Sequence, residues 1–269
     1  MPRGLDHIVH AVCDLDEAVA LYRRLGFQVG VRNRHPRAWG TQNHIVQLAG
    51  TFIELLAVAD TSGIAPHAPR QFSFGAFNRD FLSSRQGLSM LVLEGRGASD
   101  AEEFRARGIA DFELYEFERE AKRPDGTPIK VAFALAFASD PRTPEVGFFT
   151  CQHRHPENFW NPAFQQHANG VERAAGVVMV ADEPARHRDF LLAFTGALGS
   201  RDTADGVTIE LSHGEIELMT PAAFERRYRL PAPDVSAGAC LAALRFSGRT
   251  LAASQQAVLG AVLVFEPSR

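Results

Sequence analysis

Residues 5 to 12 form a short apolar, β-rich run, after which the pattern switches to a helical period. Asp14 stands at the N-cap position, with Glu17 three residues on to complete a capping box. Ala18, Leu21, Tyr22 and Leu25 recur at helical spacing, and Gly26 closes the element. Phe27 to Val31 reads as a second strand. His44 to Leu48 and Phe52 to Val58 read as two more, joined by a turn at Ala49-Gly50. The order from about residue 4 to 60 is β-α-β-β-β.

The same order recurs over about 86–152. It starts with a strand over Leu88 to Glu94 and a helix from Ser99 to Arg107, stopped by Gly108. Strands follow over Phe112 to Glu118, Val131 to Phe137 and Gly147 to Gln152, and Pro124-Asp125-Gly126-Thr127-Pro128 marks a turn. Residues 153–172, rich in proline, aromatics and polar groups, read as a connecting segment. A third unit over about 173–220 has a strand at Ala175 to Val180, a helix at Pro184 to Phe194, and a final hairpin carrying Glu210 and Glu217. The fourth, about 240–269, is abbreviated: strand Leu241 to Phe246, helix Thr250 to Leu259, strand Val262 to Phe265. The expected domains are residues 1–152 and 173–269.

An internal echo supports a duplicated chain. Leu48 to Leu55 returns as Leu211 to Leu218, so Glu54 returns as Glu217. Leu5 to Asp14 resembles Arg173 to Asp182, which sets His7 against Ala175. The histidine is therefore present in the first copy only.

Composition narrows the possible roles. With 45% hydrophobic and 22% charged residues, the 269-residue chain reads as soluble and globular, with enough length for two domains. A net charge of -4 gives no electrostatic case for nucleic acid or an anionic membrane, and no apolar run approaches the roughly 18 residues of a membrane span. Cys13, Cys151 and Cys240 are odd in number and widely spaced, so neither a disulfide frame nor a zinc ribbon is indicated. A cytoplasmic location is the default expectation. Cys151 reads as a buried strand cysteine rather than a nucleophile.

Strand parity places His7, Val9 and Ala11 on one face and Ile8, His10 and Val12 on the other. Phe52, Glu54 and Leu56 likewise share a face. Glu54 is a candidate general base if burial raises its pKa, and Asn43 and His44, following Gly40-Thr41-Gln42, suit either a turn or the mouth of a binding site. Arg32, Arg34, His35 and Arg37 make a basic loop that suits either solvent or an anionic substrate. Trp39 and Trp160 suit either loop anchoring or pocket shielding.

Four β-α-β-β-β units in two pairs, with Leu5-Asp6-His7-Ile8-Val9-His10-Ala11-Val12 and Phe52-Ile53-Glu54-Leu55 at matching places, resemble the vicinal oxygen chelate superfamily. Gly40-Thr41-Gln42-Asn43-His44 leading into Phe52-Ile53-Glu54-Leu55-Leu56 resembles its glyoxalase-like domain branch. The resemblance implies an α+β fold in which paired βαβββ units form curved mixed sheets. It also implies a cup in which first-strand and last-strand residues, here His7 and Glu54, hold a divalent metal such as Zn, Ni, Fe or Mn. From the second unit, the alignment offers Ser89, Thr150 and Gln152 at the cup, with His153 or His155 within reach if the last strand is longer. The implied activity is that of a metal-dependent lyase or dioxygenase on a small oxygenated organic substrate. The contrasting expectation is a metal-free protein that binds or sequesters a small molecule in the same cup. Glu217 lacks a histidine partner and is read as a relic, and the short fourth unit leaves an edge suited to a homodimer.

Overall fold

The computed structural model describes residues 1–122 and 126–268. The first half runs β1 (Leu5–Ala11), α1 (Leu15–Arg24), β2 (Asn33–Arg34), β3 (Thr41–Leu48), β4 (Thr51–Val58) and α2 (Phe74–Ser84). It continues through β5 (Gly87–Glu94), α3 (Ala98–Ala106), β6 (Tyr115–Lys122), β7 (Pro128–Ala138) and β8 (Gly147–His153). A linker with α4 (Pro156–Phe159) leads to β9 (Arg173–Val180), α5 (Arg188–Thr195), β10 (Arg201–Thr203), β11 (Gly206–Glu210) and β12 (Glu215–Met219). The chain ends with α6 (Pro221–Tyr228), β13 (Cys240–Gly248), β14 (Ser254–Val258) and β15 (Ala261–Pro267).

The strands form two mixed sheets, in the orders β2-β3-β4-β1-β5-β8-β7-β6 and β10-β11-β12-β9-β13-β15-β14. In each, the first strands of two units lie antiparallel at the centre, and each pairs in parallel with its own unit's last strand. The architecture is α+β with two curved mixed sheets. One large apolar core joins the backs of both sheets and their helices, from Leu5, Ile8 and Phe148 to Val177, Phe194 and Leu244. Each opposite, cup-side face has a smaller cluster of its own, around Val9, Val92 and Phe149 in the first sheet and Val178, Met219 and Phe224 in the second.

Asp14 caps α1 as its position demands, accepting from the Asp16 and Glu17 amides. Three expectations need correction, and helix α2 was not expected. Phe27 to Val31 is not a strand: Phe27 turns inward against Tyr22 and Phe246, and regular pairing is confined to β2. Helix α2, between the first two units, carried no period strong enough to predict it, and α6 occupies the corresponding place in the second half. The strand expected from Phe112 begins at Tyr115. Thr250 to Leu259 is not a helix. Its later part is β14, paired with β15 across a two-residue hairpin at Leu259-Gly260, where φ is 47° and 80°. Both central residues with positive φ make the tight turn that antiparallel strands favour, and this outweighs the run's alanine content. The turn expected over Pro124 to Pro128 falls partly outside the described residues.

Register reveals a feature that the linear pattern hides. Leu5 pairs with Leu93 and His7 with Val92, so Asp6 is an extra, bulged residue. Ser89 is likewise extra between the Val9–Met90 and His10–Leu88 pairs. The second sheet repeats this at Ala175 and Ala242. All four units thus carry a β-bulge in the first strand, and the bulges give the structural alignment of the copies. Asp6 corresponds to Ser89, Ala175 and Ala242, and His7 to Met90, Gly176 and Ala243. The sequence echo, which set His7 against Ala175, and the alignment of Ser89 on His7 are each one residue out of register.

Candidate active site

The first cup is closed at one end by α2, whose Phe74 stacks on Trp39 at 4.3 Å. What remains open is a narrow cavity of about 60 Å³, walled mostly by aromatic rings, with His7, His35, Asn43, Glu54 and Arg119 as its main polar groups. Strand alternation sends His7 and Glu54 inward from β1 and β4, as their parity requires. The His7 ring stacks on Phe52 at 4.2 Å, and its Nδ1 lies 2.5 Å from Asp6 Oδ1. Its Nε2 then faces Glu54 Oε2 across 3.9 Å.

Glu54 is held from the other side. Asn43 Nδ2 donates to Oε1 at 2.5 Å, and His35 Nε2 lies 3.4 Å from the same oxygen. His35 is fixed through Nδ1 by Thr41 Oγ1 at 2.8 Å. Burial lowers the His35 pKa; Glu54 opposes that shift, while Arg119 and His7 add to it. Arg119 Nη2 donates to Asn33 Oδ1 at 3.2 Å, and Asn33 in turn donates to Asn43. Among the described residues Arg119 has no carboxylate partner, and burial lowers its pKa too.

Asp6 also contacts a second histidine. Its Oδ2 lies 3.0 Å from His153 Nε2 at the end of β8. Burial works against the Asp6 carboxylate, yet hydrogen bonds from His153 and His7 hold its pKa below the usual carboxylate value. The bulge makes this possible, because the extra residue turns Asp6 off the alternation and onto the side of His7.

The other expected site residues lie elsewhere. His44 is on the opposite face of β3, with Nδ1 2.7 Å from the Gly30 carbonyl oxygen. Ser89, displaced by its own bulge, donates to Asn78 Oδ1 of α2 at 2.9 Å. Thr150 is buried facing α3, because Phe149 and Cys151 are the residues of β8 that line the cavity. Gln152 lines a separate, roomier cavity of about 520 Å³ beside Arg3, Glu94 and Arg96. The second unit's counterparts of His7 and Glu54 are Met90 and Phe149, since Val9 pairs with Glu54 as Val92 does with Phe149. His10 faces the large core, its Nδ1 accepting from the Tyr22 hydroxyl at 2.8 Å and its Nε2 donating to the Leu259 carbonyl at 3.0 Å.

Alternation alone does not mark Asp6 as cup-facing, and in sequence His35 reads as part of a basic loop. The only signal for Asp6 was its place beside His7, and nothing in a period of two marks a bulge. His153 was within view only on the condition of a longer last strand, and β8 does extend that far.

In the second cup, Phe224 and Tyr228 of α6 fill the space, and Arg245 binds Glu215, Glu217 and Glu266. Glu217 also pairs with Arg227. The carboxylate that echoes Glu54 is thus neutralised by arginines.

A family model for the glyoxalase-like domain matches residues 5–195. A hypothetical protein from Staphylococcus aureus superposes with a TM-score of 0.73 at 13% identity, over 98% of this chain and 99% of its own. A mutant 4-hydroxymandelate synthase from Streptomyces coelicolor gives 0.52 at 12% identity, over 91% of this chain and 71% of its own. Methylmalonyl-CoA epimerase from Mycobacterium tuberculosis gives 0.40 at 19% identity, over 58% of this chain and 92% of its own. No curated protein matches the sequence. At such identities the structural likeness is one of fold, whereas the family match spans most of the chain. The chain belongs to the glyoxalase-like domain family of the vicinal oxygen chelate fold.

Proposed function

We propose that the protein is a metal-dependent, lyase-type enzyme whose first cup takes a small carbonyl compound bearing an anionic group. The observation that carries this reading is the convergence of two oriented imidazoles on one carboxylate. His7 Nε2 faces Glu54 Oε2 and His35 Nε2 faces Oε1, while Asp6 and Thr41 hold the far nitrogens. Histidines that ligate metals characteristically have their second nitrogen held in this way. His7 and Glu54 would hold a divalent ion, with His35 as a third donor, and nitrogen and oxygen donors suit Zn, Ni, Fe or Mn. When bound, the metal supplies Lewis acidity to a substrate oxygen.

The chain's own groups supply the rest. Asp6 keeps the proton of His7 on Nδ1, leaving the Nε2 lone pair toward the cavity. Glu54, steadied by Asn43, serves as the base for the proton on the carbon beside the substrate carbonyl. Arg119, which has no carboxylate partner among the described residues and lies in an apolar wall, binds the substrate's anionic group. The aromatic walls exclude water and strengthen these interactions. Met90 and Phe149 stand where a second-unit ligand pair would be, which favours proton transfer over dioxygen chemistry.

The test is metal analysis of the purified protein combined with solvent-deuterium exchange into small 2-oxo and 2-hydroxy acids. We expect exchange that a chelator abolishes, and that Glu54→Ala and His7→Ala each reduce by at least about 100-fold. A protein with neither bound metal nor metal-dependent exchange is not this enzyme. One observation supports a second reading, a metal-free binding protein: Asn43 and His35 already satisfy one oxygen of Glu54. A ligand that raises Tm equally with and without chelator would select it.

A further inference from the structure

We infer that Asp6, Cys151 and His153 form a second divalent-cation site of the zinc class, separate from the His7–Glu54 pair. One ligand atom from each of the three residues lies within 4.8 Å of the others, among the described residues. The three are drawn from the bulge of β1 and the end of β8, which the central strand β5 brings onto one side of the sheet. Thiolate, imidazole and carboxylate together are a donor set that zinc favours over magnesium or calcium.

A hydrogen-bond network alone leaves part of this cluster unexplained. The His153 side chain is 8% exposed, and its Nδ1 is buried with no hydrogen-bond partner. A buried polar atom without a partner is costly, and with Nε2 turned toward Asp6 the hydrogen bonds of the cluster do not account for it. Burial pushes the Cys151 thiol up, and the negative charges of Asp6 and Glu54 act in the same direction. The same charges attract a divalent cation, and binding then releases the thiol proton to solvent as the sulfur–metal bond forms.

The site lies at the edge of the larger cavity, which Asp6, Cys151 and His153 line together with Arg96 and Trp160. Three protein ligands beside an open cavity leave a fourth position for water or a ligand atom, the arrangement of reactive rather than purely structural zinc. Asp6 meets His153 through Oδ2 and His7 through Oδ1, so occupancy here bears on the orientation of His7 as well.

The inference does not depend on the proposed reaction, and cobalt distinguishes the two sites. Titration of the metal-free full chain with Co²⁺ is expected to produce a thiolate-to-cobalt charge-transfer band that saturates at one equivalent. Cys151→Ser abolishes the band, and His153→Gln weakens cobalt binding at least about 10-fold. Glu54→Ala, which removes a donor of the other pair, leaves the band in place. A wild-type spectrum without the band, or a band that survives Cys151→Ser, overturns the inference. Should the Cys151 variant not fold, X-ray absorption of the zinc-loaded Cys13→Ser protein decides the matter, because Cys13 is the exposed thiol. One sulfur at about 2.3 Å supports the site, and a shell of nitrogen and oxygen alone refutes it.

Discussion

His7 and His10 sit three residues apart on one strand and meet opposite fates. His7 faces the cup, its Nδ1 held by Asp6 and its Nε2 turned toward Glu54. His10 faces the core, both nitrogens satisfied by neutral partners, and burial lowers its pKa from 6.5 to about 4. The unfolded chain therefore binds a proton between pH 6.5 and 4 that the folded chain does not. Stability from this residue is fully present above about pH 6.5 and declines as pH falls, levelling off below about 4. The loss amounts to about 3 kcal/mol. Urea unfolding of wild type and His10→Gln across that window should show a steeper fall for wild type, and parallel curves would refute the assignment. The alternation that separates these residues was legible in the sequence. The partners were not: Asp6 reaches His7 only through a bulge, and Leu259 comes from the far end of the chain.

Elements carry the same lesson. Helix α1 followed from its cap and period, and the end of α3 from Gly108, because these signals are local. The stretch from Thr250 to Leu259 misled, since its alanines favour a helix while the decisive feature is a turn that pairs Val258 with Ala261. Gly260 supports that turn and the contact between halves. It has φ of 80°, and a Cβ there would lie 1.9 Å from the Gln86 carbonyl oxygen. Gly50 has a similar φ of 73° but open space around it. Gly50→Ala should cost about 1 kcal/mol, the ordinary penalty of a left-handed alanine. Gly260→Ala should cost clearly more, about 3 kcal/mol or above, because backbone must also move. Equal losses in chemical denaturation would show that the close approach carries no weight.

Across the whole molecule, duplication produced two sheets back to back and two cups of different content. The first keeps a cavity with an oriented His–Glu pair. The second is filled by α6 and by Arg245, whose guanidinium gathers three carboxylates while only 12% exposed. Removing a buried charge partner leaves the others uncompensated, so Arg245→Met should destabilise the protein by about 3–5 kcal/mol at neutral pH. Adding Glu217→Gln should recover part of that loss, and a change below about 1 kcal/mol would mark the cluster as solvent-screened. By itself the sequence determined the strand-and-helix order of the first three units, the fold it implies, and the shared face of His7 and Glu54. Those depend on caps, periods and alternation within single elements. Only the tertiary structure decided the bulges that set the true register, the approach of His35 to Glu54, and the place of Arg119 on the wall of the same cavity. It alone joined Asp6 to His153 and filled the second cup. Each of these arises where two segments distant in sequence must fit one another, and no periodicity within either segment records that fit.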